Sequence, residues 1–173
     1  VGAFNSPTIR QETIRAIGQA CDAMKSTILC VKPHPGDDVQ DLKRVIGKES
    51  QVVMIEKTND IVPLVKACDV VVTFFSTVAL QALYAGRPVV IVAFPGCGGS
   101  QQQYVKSGAT WVARSQSELE EHVRTLTSEG RDNEIASKEE ARKKFLLDEV
   151  YLQDGQATKR VVKMALNLIQ RTG

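Results

Sequence analysis

Two apolar runs bracket a hydroxyl pair and a helix between Val70 and Val92, and this unit constrains the chain more than any other. Val70-Val71-Val72-Thr73-Phe74-Phe75 reads as a strand and Ser76-Thr77-Val78-Ala79-Leu80-Gln81-Ala82-Leu83 as a helix. Gly86-Arg87-Pro88 stops the helix, and Val89-Val90-Ile91-Val92 is a second strand. Strands so continuously apolar are buried on both faces, which calls for a parallel sheet covered by helices. Ser76 and Thr77 fall where strand gives way to helix. Unpaired backbone N–H groups point outward there, and the helix dipole favours negative charge. The crevice outside the carboxyl ends of parallel strands is the usual ligand site of such sheets. The unit therefore suggests a phosphate-bearing ligand. Helix capping alone would also select Ser and Thr, so both readings stay open on local sequence.

The rest of the chain repeats the alternation. Val1–Phe4 resembles the end of a strand, and Ile14, Ile17, Cys21 and Met24 recur at helical spacing over Thr8–Lys25. Strands are expected at Thr27–Val31, Gln51–Ile55 and Thr110–Ala113. Helices are expected at Val39–Gly47, from the Asn59-Asp60 cap to Ala67, and at Gln101–Ser107, Gln116–Thr127, Glu134–Leu147 and Ala157–Arg171. Leu119, Val123 and Leu126 should face inward, and Val161, Ala165 and Leu168 share one face. About six strands, each followed by a helix, specify an α/β fold with a doubly wound, mostly parallel six-stranded sheet and helices on both faces. The 173 residues make one domain, with 129–173 as its C-terminal helices.

Composition excludes several classes. A formal charge of +2 gives nucleic-acid binding no support, and the apolar runs are far too short for a membrane span. Cys21, Cys30 and Cys68 sit within apolar patterns and read as buried, reduced thiols, which points to a cytoplasmic setting. The first residues do not read as a charged-then-apolar leader, so no secretion is expected from them. It begins at Val1 without a methionine, so a fragment of a longer protein is expected. No dinucleotide fingerprint, P-loop or nucleophile elbow is present, and no His/Cys cluster suggests a metal.

Two further segments could carry chemistry. Lys32-Pro33-His34-Pro35 follows a strand, so His34 should open into the same crevice on a stiff loop, as a positioned hydrogen-bond donor to phosphate or a general acid. An exposed loop histidine is the plainer alternative. Gly96-Cys97-Gly98-Gly99-Ser100 also follows a strand, and its glycines would let backbone approach a ligand; a simple turn is the alternative. Cys97 has no neighbouring base and is not read as a nucleophile. His122 reads as a surface residue.

Four segments in order resemble the C-terminal half of GT-B-type glycosyltransferases and their relatives. Those relatives include non-hydrolysing UDP-N-acetylglucosamine 2-epimerases, CDP-glycerol glycerophosphotransferases and bacterial capsule enzymes. The segments are Lys32–Pro35, Ile61–Thr73, Ser76–Val90 and Asp154-Gly155-Gln156-Ala157-Thr158-Lys159-Arg160-Val161. The resemblance implies a Rossmann-like domain, one half of a GT-B fold, that binds a nucleotide-activated sugar, with UDP favoured and no separate cofactor. His34 is then the candidate catalytic residue, with Pro35 beside it. Ser76 and Thr77 would hold phosphates and the Ile55-Glu56-Lys57 turn would lie against the base, while Gly98 and Gly99 remain candidates from the glycine-rich loop alone. Gln81 stands where many members carry a ribose-binding Glu. That departure, and the missing glycine-rich epimerase motif, favour a transferase in cell-surface polysaccharide or glycoconjugate synthesis over an epimerase. A non-catalytic nucleotide-binding module is the other alternative. A missing N-terminal partner domain would carry the acceptor site, the parent could associate peripherally with a membrane, and the isolated domain would turn over nothing.

Overall fold

The computed structural model describes residues 7–22, 24, 27–33, 37–46, 51–55, 60–74, 76–95 and 102–171. The order is α1 (Pro7–Asp22), β1 (Leu29–Val31), α2 (Val39–Ile46), β2 (Val52–Met54), α3 (Val62–Ala67), β3 (Val71–Thr73) and α4 (Thr77–Tyr84). There follow β4 (Val89–Val92), α5 (Gln102–Ser107), β5 (Trp111–Ala113), α6 (Gln116–Thr127), α7 (Arg131–Ser137), α8 (Glu139–Val150) and α9 (Ala157–Arg171). The expected strand at Val1–Phe4 lies outside the described residues. No helix among the described residues is long and apolar enough to cross a membrane.

Among the described residues every strand pair is parallel, as expected, and the ladders form sheets of two and three strands rather than one of six. Among the described residues β1 pairs with β2, and β3, β4 and β5 form a separate sheet with β4 in the centre. In the β1–β2 pair Cys30 and Val53 stay exposed, so this ladder lacks the two-sided cover that β4 has. Cys30 is still within electrostatic reach of Cys68, just before β3. Burial is the main cause that pushes the Cys68 thiol above its ordinary value, with Cys30 adding to it. The thiols differ from expectation: Cys30 is exposed, and Cys21 and Cys68 are half-buried.

β4 is the axis of the core, with all four residues 0% exposed. Its alternation sends Val89 and Ile91 to one face and Val90 and Val92 to the other. The first face packs on Val65 of α3, Ala79, Ala82 and Leu83 of α4, Tyr104 of α5, and Phe145 and Leu146 of α8. The second packs on Ala20 of α1, Trp111 and Ala113 of β5, and Leu119, Val123 and Leu126 of α6. Helices thus cover both faces, and each buried aliphatic side chain contributes about 1.5–3 kcal/mol.

One helical expectation is corrected, and two gain detail. α1 buries Thr13, Ala16 and Ala20, whereas Ile14, Ile17 and Cys21 are half-buried. Small residues take the contact because α1 packs against α2 and α6; a Cβ on Gly18 would lie 3.8 Å from Ile46 Cγ2. The single helix expected at Glu134–Leu147 is two helices, broken at Lys138. There Lys138 Nζ donates to the Gly108 carbonyl at 3.2 Å and sits 5.1 Å above the Trp111 ring, which anchors the break to β5. On α9, Val161 is 67% exposed and Leu168 is 59% exposed.

Candidate functional site

β3 ends at Thr73, and the chain turns into α4 through Ser76, whose extended backbone (φ −133°, ψ 149°) is that of a helix cap. Ser76 Oγ accepts from the Val78 amide at 3.2 Å. The Ser76 carbonyl accepts from the Ala79 amide at 2.9 Å and from the Tyr104 hydroxyl at 3.3 Å. Since Oγ acts as acceptor toward Val78, its own proton is available to a further acceptor. The Thr77 amide heads the helix, where no intrahelical acceptor exists.

α4 forms because its apolar residues line one side. Ala79, Ala82 and Leu83 are buried, while Thr77 and Gln81, one turn apart, are exposed on the opposite face. Its C-terminus closes on Gly86 (φ 72°), with Gly86 N donating to Leu83 O at 3.1 Å and Arg87 N to Ala82 O at 2.9 Å. No acidic residue sits in its first turn, so that turn supplies no counter-charge to the positive end of the dipole. This corner offers hydroxyl and amide donors to an anion. Its described side chains, Ser76, Thr77 and Gln81, are neutral.

The other sequence-derived candidates divide. Ile55 is half-buried at the carboxyl edge of the β1–β2 sheet, and its amide is already bonded to Val31 O at 2.9 Å. Only groups beyond that amide remain for a ligand. His34, Pro35, Glu56, Gly98 and Gly99 lie outside the described residues. Lys32, just before His34, donates from Nζ to Pro33 O at 2.8 Å. Thus Ser76, Thr77 and Gln81 come together on one helix, while Ile55 stands on a separate ladder. His122 is half-buried, its Nε2 3.2 Å from Val112 O, rather than a free surface group. Among the described residues no group of three or more His, Cys, Asp or Glu could hold a metal.

Sequence reasoning missed two residues. Tyr104 was read only as part of a short helix, and its hydroxyl on Ser76 has no local signal beyond its place after a glycine-rich segment. Arg160 was quoted without a role. It grips both oxygens of Asp154 with Nη1 at 2.8 and 2.7 Å and donates from Nη2 to Leu152 O at 3.2 Å. Gly155 (φ 69°) and Tyr151 (φ 59°) complete this joint between α8 and α9. A cleft of about 20 Å³, lined by Leu83, Gly86, Trp111, Lys138 and Arg142 among others, lies at the far end of α4 and is too small for a nucleotide.

This is an α/β fold of parallel strands with helices on both faces, the class whose ligand sites lie outside the carboxyl ends of the strands. The structure is similar to that of WaaG, a glycosyltransferase involved in lipopolysaccharide biosynthesis, with a TM-score of 0.61 and 21% identity over 93% of this chain. The likeness is one of fold, and the chain spans 44% of that protein's length. Residues 19–167 match the CDP-glycerol:poly(glycerophosphate) glycerophosphotransferase family, and the chain belongs to it. No curated protein matches the chain.

Proposed function

We propose that this chain is the donor-binding half of a glycerophosphotransferase, with CDP-glycerol as the donor and a glycerophosphate polymer as the acceptor. The family match over residues 19–167 carries the reading, because it spans the Ser76 corner and every element packed around it. It shifts the favoured base from uracil to cytosine. In such a transfer an acceptor hydroxyl oxygen bonds to the phosphorus bearing glycerol. The bond between that phosphorus and the bridging oxygen breaks, and CMP leaves. The added charge on the departing phosphate is what preorganised donors would stabilise. Ser76 Oγ and the Thr77 amide are assigned to the donor's phosphates, and Gln81, further along the same face, to the ribose diol without charge assistance. His34 is assigned as the catalytic group next to the transferred phosphate, with Pro35 stiffening its loop. Ile55 and Glu56 are assigned to the base, and Gly98 and Gly99 to close backbone approach.

A second domain is part of the proposal. Val161, Val162, Met164 and Leu166 of α9 are each more than half exposed, a surface of the kind a neighbouring domain buries. The acceptor site is assigned to that domain, so the isolated chain should bind donor without turnover.

The experiment is a calorimetric series with CDP-glycerol, CDP, CMP, UDP and UDP-N-acetylglucosamine. The cytidine diphosphates should bind most tightly. Preference for UDP-N-acetylglucosamine would instead support a sugar transferase, and silence from every nucleotide at millimolar concentration with folded protein would refute the donor-binding role.

A further inference from the structure

The Ser76 carbonyl and the Thr77 amide belong to one peptide unit, in which C=O and N–H point in opposite directions. Whatever holds the carbonyl also aims the amide. Two donors hold it, the Ala79 amide at 2.9 Å from within the helix and the Tyr104 hydroxyl at 3.3 Å from α5. The first comes with any helix start. The second reaches in from a different helix.

Tyr104 is a fixed point. It is 5% exposed, and its ring meets Phe145 of α8 at 5.5 Å with the planes tilted by 55°. Its own carbonyl accepts from Ser107 Oγ at 2.7 Å and from Thr110 Oγ1 at 3.1 Å. A six-residue helix has little stability of its own, so these bonds and the ring contact are what locate α5. Hydrogen bonds onto a carbonyl also polarise the rest of its peptide, which makes the N–H a better donor.

We propose that Tyr104 is a positioning residue for the phosphate corner: its hydroxyl, held by Phe145 and α5, locks the Ser76–Thr77 peptide so that the Thr77 amide points away from the core and toward a bound phosphate. This rests on the donor-binding reading above. It ties the helix that follows the Gly96–Ser100 segment to the helix that begins at Ser76. Loss of the hydroxyl leaves Ser76 O bonded to Ala79 N, so the fold should tolerate it while the aim of the amide relaxes.

The test is Tyr104→Phe, which keeps the ring and removes the donor. In the free protein, the Thr77 amide resonance should shift and exchange several-fold faster with solvent, while the melting temperature stays within a few degrees. In NMR titrations, CDP should bind about three- to tenfold more weakly, the scale of one net hydrogen bond, and cytidine should bind as it does to wild type. A merely structural role would weaken CDP and cytidine by the same factor, and that result overturns the proposal. So does an unmoved Thr77 resonance. If wild type binds no nucleotide, the donor-binding reading fails by itself. The Thr77 resonance still decides the lock: moved, it stands; unmoved, it falls.

Discussion

Arg142 reaches from α8 to the end of α4, where its Nη1 donates to the Leu83 carbonyl at 2.7 Å. The same guanidinium holds Glu139 through Nε at 2.7 Å and Nη2 at 2.8 Å. The helix that starts at Ser76 is therefore held at both ends by later parts of the chain, Tyr104 at its start and Arg142 at its finish. With Phe145 and Leu146 buried against Leu83, α8 is part of the core rather than an appendage.

Arg142→Ala should lower stability by about 0.5–1.5 kcal/mol, chiefly from the Leu83 carbonyl losing one of its two donors while the Gly86 amide remains, since the partly exposed ion pair adds little. Arg142→Lys should recover part of it, because an ammonium cannot reproduce the fork. The Arg142 hydrogen bond holds the Glu139 carboxyl below its usual value. A depressed carboxylate stabilises the fold above its unfolded pKa of about 4.3. The gap between wild type and Arg142→Ala should thus be full at neutral pH and narrow as pH falls through the folded value of Glu139. Urea melts between pH 7 and pH 3 measure it.

Gly86→Ala isolates a backbone effect. A Cβ there would meet nothing within 4 Å, yet φ is +72°. The cost should be about 1–2 kcal/mol from the left-handed conformation alone. Thermal unfolding should fall by about 2–4 °C per kcal/mol, with no change in nucleotide affinity.

The single tryptophan makes the β5–α7 junction visible. Trp111 Nε1 donates to Glu134 Oε1 at 2.9 Å from a nearly buried ring. Glu134→Ala leaves that donor without its partner and should cost about 1–3 kcal/mol with a shift in indole emission. Glu134→Gln keeps an acceptor and should stay close to wild type.

At the α8–α9 joint, Arg160 and then the Gln156 amide hold the Asp154 carboxyl below its usual value. The sign follows as for any depressed carboxylate: the contribution is present above about pH 3.9 and is lost as pH falls through the folded value. Asp154→Ala should therefore reduce α9 helicity at neutral pH, and wild type should lose the same helical circular-dichroism signal only on acidification.

How much was legible follows from what each signal depends on. β4 and α4 were read nearly to the residue, because an unbroken apolar strand and a Ser cap with a glycine stop are local signals. The inward face of α6 was equally plain from the spacing of Leu119, Val123 and Leu126. On α1, Ile17 and Met24 from the helical spacing do pack against the core, but close helix packing gives full burial to Thr13, Ala16 and Ala20, which bulk alone does not signal. The break at Lys138 depends on Gly108 and Trp111, about 30 residues away in sequence, and no local pattern reveals it. The site divides likewise. Ser76 and Thr77 announce themselves at a strand end, but the hydroxyl that supports them comes from Tyr104, 28 residues on.

The central claim is that the Ser76 corner holds the phosphates of a cytidine diphosphate donor. Amide chemical-shift mapping with CDP-glycerol, on wild type and on the Ser76→Ala/Thr77→Ala variant, tests it most directly. The account predicts the largest shifts at Ser76, Thr77 and Val78 in wild type, and at least a tenfold loss of affinity in a variant that remains folded. Shifts concentrated elsewhere, or unchanged affinity in the variant, would contradict it.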